Sequence, residues 1–236
     1  MIDDNRIYVI ARYKEDLSWV ENLKGNILIF NKSEFFDYKF PRQDLENYGR
    51  ETQTFVNFIV RYYNLLKDYD SVVFLQGNPF EHCTDVLDKI SKVDPKSFEF
   101  LSDKKATTTF PKRHYYSMHL STMCRLFNME YDWTLEEFIE SENDSRASLE
   151  SLRHFEHCIA LCQILKINTQ NLQFDWASGC QYQVPVEKIL NKPLEWWVTI
   201  HHIHTYFSKI RKVDFFSYVL ETVWPLLINH VPNSYE

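Results

Sequence analysis

Four short stretches set charged or polar side chains at places where an apolar run gives way to a turn or helix. In "ARYKEDLSW" these are Arg12, Tyr13, Glu15 and Asp16; in "FNKS" they are Asn31 and Lys32. In "NYGRE" a helical stretch opens on Asn47, Gly49, Arg50 and Glu51. Arginine and lysine at such corners pair with phosphate oxygens, and the unbonded N–H groups of a helix start add to the attraction. Plainer roles exist for each: Glu15 and Asp16 favour a helix amino terminus, and Asn47 can cap one. Their convergence on one edge points to a ligand more strongly than any one of them. The fourth stretch, "FLQGNPFEH" (74–82), stops at Gln76, Gly77 and Asn78, with Glu81 and His82 close behind. The chain has four glycines, and one at the end of a buried strand lets the backbone turn sharply or a ligand approach closely.

Other candidate groups are weaker. His201 and His204 in "HHIH" can share a helix face, but no acidic or cysteine partner lies near in sequence, and the surrounding "EWWVTIHHIHTYF" reads as packing or a contact face. Cys158 and Cys162, four apart on an expected helix, read as small core residues. The five cysteines are odd in number and irregular in spacing, which fits neither a disulfide framework nor a zinc ribbon. Glu221 sits in the apolar helical stretch "YVLETVW", where a carboxylate is costly to bury unless paired or facing a polar cleft.

The elements that must position these groups follow from periodicity. "RIYVIA" (6–11), "NILIF" (26–30) and "SVVFL" (71–75) read as buried strands. "EDLSWVENL" and "ETQTFVNFIVRYYNLL" (51–66) read as the helices between them. Strands separated by helical crossovers imply a parallel sheet, whose carboxyl edge is where open α/β sheets bind ligands. Residues 94–117 lack a period and read as a long surface loop able to act as a lid. Helices are expected near 117–128 and 148–166, two short strands around Gly179 in "LQFDWASGCQYQVP", and helix through 215–229.

A formal net charge of −7 argues against nonspecific attachment to nucleic acid or anionic membranes. No run reaches the ~18 apolar residues of a membrane span, and the charged amino terminus is unlike a signal peptide, so a cytoplasmic chain is expected. GxGxxG, the P-loop, GxSxG and HExxH are absent.

In their order along the chain, "IYVIARYKEDLSWV", "ILIFNKSE", "NYGRETQTFVNFIVRYY", "VVFLQGNPFEH", "GCQYQVPVEKI" and "YVLETVW" resemble a family of glycosyltransferase-like proteins found in fungi, bacteria and large DNA viruses. The resemblance covers about residues 6–82 and 174–229. It implies a GT-A-like α/β fold: three layers, a mainly parallel central sheet and a helical C-terminal part in one domain. Residues 1–100 form its nucleotide-sugar-binding half and 101–236 its acceptor-binding half. The implied activity is transfer of a sugar from a nucleotide sugar to a hydroxyl of a glycan or glycoconjugate, as in glycan biosynthesis. The alternative is a noncatalytic nucleotide- or sugar-binding module of the same fold.

On this reading the donor site spans Arg12, Tyr13, Glu15, Asn31, Lys32, Asn47, Gly49, Arg50, Gln76, Gly77 and Asn78. The acceptor would meet Trp176, Gly179, Gln181 and Trp224. GT-A enzymes usually carry Asp-x-Asp where this chain has Gln76-Gly77-Asn78, and neutral side chains are weaker ligands for a hard cation. Two solutions stay open: Asn78 and His82 help hold a divalent ion such as Mn2+ or Mg2+, or Arg12, Lys32 and Arg50 neutralise the diphosphate directly. "GCQYQVP" followed by Glu-x-x-Trp also resembles a glycine segment and helix of the branching N-acetylglucosaminyltransferases. That similarity makes Glu221 the candidate base of an inverting transfer, with Asp175 in reserve.

Overall fold

The structure is a computed structural model and describes residues 5–34, 39–109, 154, 157–169, 172–210 and 215–230. Two compact units divide the chain: Met1–Ala106 with Asp175–Val231, and Thr107–Phe174 with Pro232–Glu236. The expected helix at 117–128, much of the one at 148–166 and part of the 94–117 loop lie outside the described residues.

In the first unit, β1 (Arg6–Arg12), β2 (Asn26–Asn31), β3 (Arg42–Asp44) and β4 (Ser71–Gln76) run parallel. The chain then forms α2 (Val86–Lys92), β5 (Glu99–Phe100) and β6 (Lys105–Thr109), and later β7 (Gln173–Ala177) and β8 (Tyr182–Pro185). The six-stranded sheet has the order β3-β2-β1-β4-β8-β5, with β8 antiparallel to both neighbours; β6 and β7 form a two-stranded sheet. The molecule is therefore mixed α/β with a mainly parallel sheet. Residues 157–164 of the second unit are helical, and free Cys158 and Cys162 are both buried.

Alternation along the strands sends side chains to two faces. On one face Tyr8, Ile10, Ile27, Ile29, Val73 and Leu75 share a core with Leu17, Trp19 and Val20 and with Val86 and Ile90 of α2. On the other, Phe30 and Phe74 meet Phe55 and Phe58 of α1 (Arg50–Tyr62), at ring separations of 4.8 to 6.2 Å. Trp197 of α4 (Leu194–Thr205) and Trp224 of α5 (Phe215–Asn229) complete this layer, after the short α3 (Val186–Leu190).

Three local expectations change. The segment expected as a helix at 15–23 makes one 3-10 turn, Ser18–Asn22, which suffices to bury Trp19 and Val20. The aperiodic region contains β5, which joins the sheet through Glu99↔Gln183 and Phe100↔Tyr182. α1 ends at Tyr62 and continues as a 3-10 segment, Tyr63–Asp68.

Candidate functional site

Strand register brings the polar residues level. Arg12 stands opposite Asn31 on β2, and Ala11 opposite Gln76 on β4. The chain moves outward from β1 to β2 and β3 on one side and to β4 on the other, so these carboxyl ends flank a topological switch point, the crevice open α/β sheets use for ligands. A cleft of about 430 Å³ lies there, lined by Ala11, Arg12, Tyr13, Glu15, Lys32, Asn47, Arg50, Glu51, Gln76 and Glu81. That volume is within the usual ~300–1,000 Å³ of small-molecule sites.

Seven residues expected at the donor site thus share one cleft: Arg12, Tyr13, Glu15, Lys32, Asn47, Arg50 and Gln76. Glu51 and Glu81 join them, which the sequence reading did not assign to the site. Both follow residues already singled out, Arg50 and the Gln-Gly-Asn turn, and that adjacency is the signal that could have found them. Three cationic side chains face three carboxylates, so the lining is formally balanced.

The cationic groups are held differently. Arg12 is buried; its Nε donates to the carbonyl of Glu15 at 3.0 Å and its Nη1 to Asn31 Oδ1 at 2.7 Å. Asn31 in turn donates to Asp44 Oδ1 and to the carbonyls of Ser33 and Glu34, so it supports Arg12 from behind the cleft. Lys32 is 8% exposed, and its Nζ donates to the carbonyls of Tyr48, at 2.8 Å, and Arg50. Burial pushes its amine down to about 7, against the opposing pull of the Glu51 carboxylate. Arg50 is exposed: Nη1 donates to the Tyr218 hydroxyl at 2.8 Å, and the guanidinium lies 4.9 Å from that ring's centroid.

The start of α1 is shaped by backbone. Gly49 precedes the helix at φ +63 and Arg50 follows at φ +48, both left-handed. A Cβ on Gly49 would fall 2.1 Å from His204 Cε1, so only glycine allows α4 to come this close. His204 is buried with Nε2 3.0 Å from Thr52 Oγ1, and His201 Nε2 is 3.4 Å from Asn57 Nδ2. The histidine pair therefore packs α4 against α1, as the aromatic surroundings suggest.

Several expected residues serve the cleft from outside. Gly77 makes room for Glu15: a Cβ there would come within 2.5 Å of Glu15 Oε2, which accepts from the N–H groups of Tyr13 and Lys14. Asn78 donates to Glu81 Oε1 at 3.1 Å, while the His82 ring lies against Gly179, 2.5 Å from where a Cβ would be. These two side chains are thus engaged separately. Among the described residues, the His, Cys, Asp and Glu side chains that gather within ligating distance of one another are Cys83, Asp85 and Asp103, without His82.

Gly179 is a junction. Its φ is +91, its N–H donates to Glu221 Oε1 at 2.6 Å, and its carbonyl accepts from Gln76 Nε2 at 2.8 Å. The glycine segment and the Glu-x-x-Trp helix therefore touch, and the contact leads through Gln76 to the cleft. Glu221 is 9% exposed; burial raises its carboxyl to about 7, the Glu51 carboxylate adds to the rise, and the Gly179 N–H and Arg50 oppose it. Asp175 is exposed on β7 and Trp176 half-buried there. Gln181 is buried, its Nε2 donating to the carbonyls of Pro79 and Leu101. Trp224 is fully buried between Phe74 and Trp197, a position in the core and off the cleft.

No family model, curated protein or solved structure matches the chain.

Proposed function

We propose that this chain is a GT-A-like glycosyltransferase that binds a nucleotide sugar in the switch-point cleft and transfers the sugar to a hydroxyl of a glycan or glycoconjugate. The observation that carries the reading is the cleft itself, where Arg12, Lys32, Arg50 and Gln76 meet beside the start of α1. Arg50 is the exposed cation of the set, positioned by Tyr218 for a charge-assisted contact with the donor diphosphate. Arg12 and Lys32 are tied to backbone carbonyls and shape the floor. In an inverting transfer the acceptor oxygen would attack the anomeric carbon as its bond to the diphosphate breaks, and the hydroxyl proton would pass to a carboxylate. Glu221 suits that exchange, since a carboxyl near 7 is about half ionised at neutral pH.

A second reading, a noncatalytic nucleotide- or sugar-binding module, is favoured by one observation. Glu221 Oε1 is taken by the Gly179 N–H, and Glu221 is not part of the cleft lining.

The test is a thermal-shift screen of the full chain against nucleotide sugars, with and without manganese or magnesium, because a ligand that binds the native state raises its apparent stability. The binding donor is then assayed for hydrolysis. Arg50→Ala should weaken donor affinity by about 1.5–3 kcal/mol. Glu221→Gln should lower turnover by roughly 10²–10⁴ with donor affinity nearly intact. Binding without turnover selects the module, and no binding by any nucleotide sugar rejects the transferase reading.

A further inference from the structure

Lys32 is a buried amine at the edge of the cleft that the donor reading leaves without a chemical role. Its two hydrogen bonds go to main-chain carbonyls, those of Tyr48 and Arg50, while the neighbouring Glu51 carboxylate lies 3.7 Å from Arg50 Nε. A neutral amine has two hydrogens and one lone pair. In the neutral amine the two hydrogens serve these carbonyls and the lone pair is the nucleophile; forming the imine gives up both hydrogen bonds.

We propose that Lys32 is an imine-forming amine and that the cleft beside it takes a phosphorylated aldehyde or ketone, such as the open-chain form of a sugar phosphate. The carbonyl end would meet Nζ, and the phosphate would meet Arg50, whose guanidinium is exposed and steadied by Tyr218. Addition forms a C–N bond as the carbonyl π pair moves to oxygen. Nζ gives up its protons, the oxygen takes up two in all and leaves as water, and a C=N bond remains. One amine and one carbonyl give one imine and one water, with no oxidant or reductant.

The neutral form needed for attack is accessible because burial holds the amine near 7. The charges around it belong to several elements. Glu51 and Arg50 come from α1, Arg12 from β1 and Glu15 from the turn after it. His204 on α4, whose protonation is depressed first by burial, is near enough for the lysine's charge to depress it further. Of these, Glu51 is the group that favours the protonated amine.

This proposal rests on the cleft's geometry and not on the nucleotide-sugar reading. The full chain is incubated with pyridoxal 5′-phosphate, a phosphorylated aldehyde, reduced with borohydride to fix the imine as a secondary amine, digested and mapped by mass spectrometry. At pH 7 Lys32 should label at least about tenfold faster than exposed Lys14, Lys24 and Lys67, because an ordinary lysine near 10.4 is almost wholly protonated there. Its rate should reach half-maximum near pH 7, and inorganic pyrophosphate should slow it. Label confined to the exposed lysines, or Lys32 labelling that rises only above pH 9, overturns the proposal. Labelled Lys32 in a chain that binds no nucleotide sugar keeps this inference and removes the donor reading. Nucleotide-sugar binding with Lys32 unlabelled does the reverse.

Discussion

Glu221 gains its proton over a range where an ordinary glutamate has lost it. The folded carboxyl titrates near 7 and the unfolded one near 4.5, so the native state holds a proton that the unfolded chain releases between those values. Stability from this group is complete below about pH 4.5 and is lost as pH rises through 7. Glu221→Gln keeps the shape and an oxygen for the Gly179 N–H but cannot ionise. The variant should therefore be more stable than the parent above pH 7, by roughly 1–3 kcal/mol, and the two should converge toward pH 4.5. Urea unfolding of both at pH 5, 6, 7 and 8 checks this, and parallel profiles would mean that Glu221 ionises normally in the fold. Residue types near the cleft were legible in the sequence because strand ends and helix starts were. Side-chain direction was not: Asn78 turns to Glu81, His82 lies on Gly179, and Gly77 yields its space to Glu15. None of these contacts is fixed by spacing along a single element, because each depends on how close two elements approach.

Among the elements, α1 has the most demanding start. The left-handed backbone at Gly49 and the lack of room beneath His204 act together, so Gly49→Ala meets both a strained φ and a collision with a buried ring. Thermal or urea unfolding should show a loss of at least about 2 kcal/mol. Arg50 and Glu51 should also shift with the helix start, so ligand affinity should fall beyond what stability explains. An alanine variant as stable as the parent would place the close approach of α4 elsewhere. The long elements were readable because their patterns were: β1, β2 and β4 as β-branched and aromatic runs, α1 as an apolar face repeated at helical spacing. β3 reads Arg-Gln-Asp and β5 is Glu-Phe, too short and too polar for any period to appear. They are strands because β2 and β8 offer edges to pair with. The 3-10 turn at Ser18–Asn22 reads in the sequence as a longer helix, since both put Leu17 and Val20 on one side.

On the scale of the whole molecule, cohesion between helices depends on buried polar groups as well as apolar packing. Lys192 is fully buried and donates to the carbonyls of Lys188 and Ile228, joining α3 to the end of α5. Burial pushes its amine down to about 7, with repulsion from Lys188 adding to the fall. Between pH 7 and about 10.4 the unfolded chain binds a proton that the native state does not, so this residue makes stability rise with pH over that window. Lys192→Met should flatten the rise, as measured by thermal unfolding from pH 7 to 10. A rise of unchanged slope would show that Lys192 stays charged in the fold.

The antiparallel strand β8 also sets an order of events during synthesis. β4 is made by residue 76, but the partner on its second edge, Tyr182–Pro185, emerges from the ribosome more than a hundred residues later, and β5 cannot join the sheet without it. Until then Val72 and Phe74 border an unpaired edge, the kind of surface on which nascent chains cross-associate. Ribosome-bound chains stalled with residues 1–106 exposed should therefore be open to protease and should recruit chaperone. In chains exposing residues through 230, the segment around β4 should resist cleavage, since α5 covers Phe74 only then. The cleft, though lined by residues 11–81, would become a rigid binding site only as α5 leaves the tunnel.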